Sequence, residues 1–122
     1  MSTLNFIASP PGFEPSLQFA FTPVDGSTGL YTLAATDDEA RRVFVVDAAI
    51  YLQDYSPSLN TAQAEALGLT SGADAQVYVV ANAAASGTTV NLLAPVVVNS
   101  VTNAAAQFIL DGDWPLRAPL GA

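Results

Sequence analysis

The side chains of this chain that could do chemistry are almost all carboxylates and phenols. Eleven Asp and Glu residues stand against three Arg, and there is no His, Cys or Lys. Without His or Lys a serine nucleophile has no base to activate it. Without Cys there is no thiolate nucleophile, no soft metal ligand and no disulfide framework. A carboxylate pair across a cleft could hydrolyse a glycoside. Eleven carboxylates make chance pairs unavoidable, however, and none has a distinctive setting. Asp111-Gly112-Asp113 resembles the start of a calcium loop but lacks the remaining oxygen ligands. The expectation is therefore a protein that is not an enzyme and holds no metal or cofactor, and the chemistry left is recognition.

The recognition candidates are Asp47, Tyr51, Asp54 and Tyr55. Asp47 closes a Val-Phe-Val-Val run, and Asp54-Tyr55 falls in a stretch that ends in Ser56-Pro57-Ser58. Loops concentrate binding residues, and aromatic side chains anchor interfaces. Each candidate also has a structural reading. Asp47 can cap a turn, because a carboxylate is rarely left unpaired beside a buried strand. Tyr51, Tyr55 and Trp114 can pack into a core. Asn91 and Asn99 are expected to satisfy backbone groups around Pro95 rather than touch a ligand. Phe13 is expected to plug a Pro-Gly turn, and Asp37-Asp38-Glu39 to be a solvated turn.

The elements that must position these residues are mostly short strands. Leu4 to Ala8, Leu17 to Phe21, Leu30 to Ala34, Arg42 to Ala49, Ala75 to Ala81 and Ala106 to Leu110 have strand patterns. The Arg42 to Ala49 piece is expected to be buried on both faces. Thr88 to Asn99 reads as two short strands or one bent strand, because Pro95 has no N–H for a central ladder. Asp25-Gly26 marks a hairpin between apolar runs. Ser9 to Pro15 is a rigid turn, Thr36 to Ala40 an exposed acidic turn, and Asn82 to Gly87 a small-residue turn. Asn60 to Leu67 is the one convincing helix, with Asn60 or Thr61 as its cap and Gly68 at its end. The tail after Asp111 reads as a turn and an irregular end. Such spacing predicts an all-β fold, a small antiparallel β-barrel or sandwich with one short helix, as a single domain over residues 1–122.

Composition supports a folded core. The 122 residues are 51% hydrophobic and 11% charged, with a mean hydropathy of +0.37. Area scaling puts roughly two thirds of the unfolded chain's surface inside on folding. The longest apolar run, Leu92 to Val98, is too short for a membrane helix, and no signal peptide is visible. A cytoplasmic location is expected. The net charge is −8, and the only basic pair, Arg41-Arg42, follows Asp37-Asp38-Glu39. Nucleic acid and anionic membrane surfaces are thereby disfavoured. A basic protein partner is favoured electrostatically, although the same acidity also keeps an apolar domain soluble.

The order of these pieces resembles the FliW family of flagellar assembly factors. The matching residues are Pro11-Gly12-Phe13, Phe44-Val45-Val46-Asp47, Tyr51, Asp54-Tyr55, Val77-Tyr78-Val79-Val80, the run from Thr89 to Asn99, and Gln107-Phe108-Ile109-Leu110. They are collinear over about residues 10–117, and the Asn-Leu-x-Ala-Pro segment is the most specific. The resemblance implies a non-enzymatic, barrel-like cytoplasmic protein, monomeric when free, with protein partners. Those partners would be flagellin and CsrA, a basic RNA-binding regulator that represses flagellin translation. Binding of CsrA would relieve that repression, and free flagellin would compete. The chain departs from the family pattern in its short uncharged start, in Ser56-Pro57-Ser58 where acidic residues are usual, and in Ala48 where proline is usual. The alternative expectation is a structural or adhesive β-domain that self-associates.

Overall fold

The computed structural model describes residues 2–120, apart from 53, 54, 56, 58, 71–73, 85, 86 and 111. Nine strands and two short helices are present among the described residues. The strands are β1 (Ser2–Phe6), β2 (Gln18–Pro23), β3 (Leu30–Ala35), β4 (Asp38–Asp47), β5 (Ala75–Ala84), β6 (Gly87–Val90), β7 (Val96–Asn99), β8 (Ala104–Gln107) and β9 (Ala118–Pro119). The helices are α1 (Ala48–Tyr51) and α2 (Thr61–Ala66).

Seven strands close on themselves in the order β4-β3-β2-β1-β8-β7-β5, with β5 pairing back to β4 from Phe44↔Ala81 to Asp47↔Tyr78. The far half of β5 leaves the ring and pairs with β6, which pairs in turn with β9. The expected all-β barrel is present. Among the described residues all ladders but one are antiparallel. The exception is β1 with β8, two strands from opposite ends of the chain that no hairpin constrains.

Period-two alternation points one set of side chains into the barrel. Leu4, Phe6, Phe19, Leu33, Val45, Tyr78, Val96, Val98 and Ala105 form that interior. Phe13 closes one end, edge-on to Phe19 at 5.3 Å, and Arg41 covers its ring at 5.5 Å. The arginine also donates to the carbonyls of Gly12 and Glu14, so it holds the proline-rich turn in place. Phe13 is therefore a plug, as expected.

Apolar clusters lie outside the barrel too. Val46, Val79, Ala81 and Val90 are covered by Leu52, Tyr55, Leu92 and Leu120. Val97 and Ala106 are covered by Leu67 and its neighbours at the end of α2. This explains the uniformly apolar run in β4, although burial on both faces holds only at Val45 and Val46. Phe44 is 46% exposed, because the outer cover does not reach it.

Asn91 and Asn99 both satisfy backbone groups as expected, although Asn99 does so at the end of α2 and the turn after β7 rather than around Pro95. Asn91 accepts from the N–H groups of Leu93 and Ala94. Buried Asn99 donates to the Leu67 carbonyl and accepts from the Val101 and Thr102 N–H groups. Pro95 sits fully buried in the loop between β6 and β7, so Thr88 to Asn99 is two strands. The α2 helix has its Asn60 cap, which accepts from the Gln63 N–H, and the Asn60 N–H donates in return to the Gln63 side chain.

Several boundaries differ from expectation. Ala48 and Ala49 continue as α1 rather than as strand, because Asp47 caps a helical turn. The acidic turn narrows to Thr36-Asp37, and Asp38 to Ala40 already belong to β4. The Asn82 to Gly87 turn is mostly hairpin strand, because β5 runs on to pair with β6. The last long strand is Ala104–Gln107 rather than Ala106 to Leu110, and the tail contains β9.

Candidate functional site

The expected recognition residues gather around α1. The backbone N–H of Asp47, at the end of β4, donates to the Gly29 carbonyl at 2.8 Å. Its carboxylate accepts from the Ala49 N–H at 2.9 Å, which starts the helix. Ala48 is thus the first helical residue, the position where a helix tolerates proline best. One turn on, the Tyr51 hydroxyl donates to the Thr28 carbonyl at 2.7 Å and ties α1 to the β2–β3 loop. The two segments touch so closely that a Cβ on Gly29 would lie 2.9 Å from Ile50 Cδ1 and 3.0 Å from Tyr51 Cε2.

Of the four candidates, Asp47 and Tyr51 are neighbours on this corner. Asp54 lies outside the described residues. Tyr55 faces inward: its hydroxyl donates to the Leu92 carbonyl at 2.6 Å, and its ring meets Trp114 edge-on at 5.0 Å. Burial pushes the Tyr55 phenol up to about 12. The Tyr78 phenol, opposite Asp47 in the ladder, also rises to about 12, first by burial and then by the negative charge of Asp47.

The corner continues into an apolar groove of about 310 Å³ on the outer face of the sheet. Leu30, Phe44, Tyr51, Ala83, Thr88 and Leu120 line it. Phe44, Ile50 and Tyr51 are each more than 40% exposed. A larger depression of about 480 Å³ lies beside β1, β2 and the turn after β3. There the Ser16 hydroxyl already donates to Asp37. Phe44, Ile50 and the groove were missed from the sequence. Their signal was hidden inside apolar runs whose alternation of inward and outward side chains leaves no polar mark. Among the described residues, nothing in this region resembles a catalytic constellation. It offers an apolar surface beside carboxylates, which suits docking.

The profile of the FliW protein family matches residues 2–120. The chain belongs to the FliW family. A flagellar assembly factor FliW of Exiguobacterium sp. (strain AT1b) is 28% identical over 121 residues, covering 98% of this chain and 83% of the relative. That of Clostridium kluyveri is 31% identical over 113 residues, covering 90% and 78%. The FliW of Bacillus subtilis strain 168 is 29% identical over 114 residues, covering 91% and 80%. A crystal structure of a flagellar assembly factor FliW superposes with a TM-score of 0.88 at 25% identity, over 96% of this chain and 84% of that one. Family and barrel are thus settled together. No helix among the described residues is long and apolar enough to cross a membrane.

Proposed function

We propose that this chain is a cytoplasmic regulatory binding protein, not an enzyme, that captures flagellin and antagonises CsrA. The observation that carries the reading is the FliW family match over nearly the whole chain. Two physical features support it. The net charge of −8 favours a basic partner such as CsrA. The α1 corner also presents exposed Ile50 and Tyr51 beside Asp47 on a braced scaffold. Asp47, Asp54, Tyr51 and Tyr55 are the proposed partner-side residues, with Tyr55 acting from beneath by holding the surface.

Flagellin and CsrA would compete for the protein, so that free flagellin sets how much CsrA is left to repress translation. Titration calorimetry against each partner, followed by competition, tests this. The expected result is a one-to-one complex with flagellin and release of CsrA as flagellin is added. Absence of heat with both partners at low salt would remove the regulatory reading. Concentration-dependent growth of the free protein in light scattering would favour a self-associating structural domain instead.

A further inference from the structure

We infer that the outer groove is the seat of the partner, and that it receives a short amphipathic segment with apolar side chains inward and a basic flank over α1. This rests on the reading of the chain as a flagellin binder and names the surface that does the binding.

A scattered exposed apolar side chain is ordinary, but a contiguous exposed patch marks a docking surface. Here Phe44 and Tyr51, both over 40% exposed, line one depression with Leu30, Ala83, Thr88 and Leu120. At about 310 Å³ it matches the lower end of ligand pockets, roughly 300–1,000 Å³. That volume admits a few side chains of a segment, not a folded surface.

The charges around the groove give the occupant its polarity. At the α1 end is Asp47, and the exposed Asp25 belongs to the β2–β3 loop that Tyr51 grips through Thr28. At the other end, exposed Arg42 stands two residues before Phe44 on the same face of β4, about 7 Å along the strand. A segment with its basic end over α1 and an acidic residue near Arg42 complements both ends. A second copy of this chain would bring another net −8 against the first and fits poorly.

The test is flagellin binding by titration calorimetry, with circular dichroism as a check on folding. Phe44→Ser removes the exposed anchor. Ala83→Gln fills the groove from an exposed position and serves where the first variant unfolds. Each folded variant is expected to bind at least tenfold more weakly than the unaltered protein. Asp25→Asn should weaken binding at low salt and leave it unchanged at high salt. Full affinity in folded Phe44→Ser or Ala83→Gln would overturn the groove while the flagellin reading stands. Failure of the unaltered protein to bind flagellin would overturn both.

Discussion

Tyr55 shows how a residue suited to recognition is already engaged in holding the fold. Its hydroxyl bond to the Leu92 carbonyl joins the chain after α1 to the loop after β6, and its ring packs on Trp114. Tyr55→Phe keeps the ring and removes the bond. A stability loss of about 1 kcal/mol is expected in urea unfolding. The same phenol makes stability depend on alkali. Tyr55 and Tyr78 hold their protons to about 12 in the folded protein, against 10.0 ordinarily. Between those values the unfolded chain has released protons that the folded chain still binds, so raising the pH favours unfolding. The melting temperature should therefore be flat with respect to these groups below pH 10 and fall from there towards 12. In Tyr55→Phe the fall should be shallower; an equally steep fall would assign the effect to Tyr78 and other groups.

At the scale of elements, α1 depends on how the β2–β3 loop meets it. Gly29 has φ +80°, and a Cβ there would press on Ile50 and Tyr51 at about 3 Å. Left-handed backbone costs a non-glycine residue roughly 1–2 kcal/mol. Gly29→Ala should lose at least about 1 kcal/mol and shift the Ile50 and Tyr51 resonances in methyl and aromatic NMR spectra. Unchanged spectra and stability would mean that the corner is softer than its contacts indicate. Such a contact was not legible in the sequence, where Gly29 reads only as a turn residue. Legibility followed local chemistry throughout. The α2 cap, the Asn91 and Asn99 roles and the break at Pro95 were readable, because each follows from a side chain's own bonding capacity. What failed needed tertiary information. The exposure of Phe44 depends on where Leu52, Tyr55, Ala118 and Leu120 come to lie, and β9 is a strand only because β6 offers it an edge. Asp47 read both as cap and as contact residue, and the structure shows the cap.

For the whole molecule, the dominant facts are closure and charge. The β4–β5 ladder closes the barrel, so the apolar strands of the ring do not offer long bare edges to other chains. Exposed carboxylates then set the sign of the surface charge. Arg41 is bound to the Phe13 turn, which leaves Arg42 and Arg117 as the cations most open to solvent. A net charge of −8 on so small a body steers a basic partner before any contact forms. Salt shortens the reach of that field, from roughly 30 Å at 0.01 M to about 8 Å at 0.15 M. If CsrA competes with flagellin for the proposed groove, its apolar contacts there would be made after encounter and would control how slowly the complex comes apart. Association and dissociation with CsrA should therefore respond differently to salt. In stopped-flow measurements the association rate should drop at least tenfold between those ionic strengths, while dissociation changes little. Comparable changes in both rates would place desolvated ion pairs, rather than the apolar groove, at the centre of the contact.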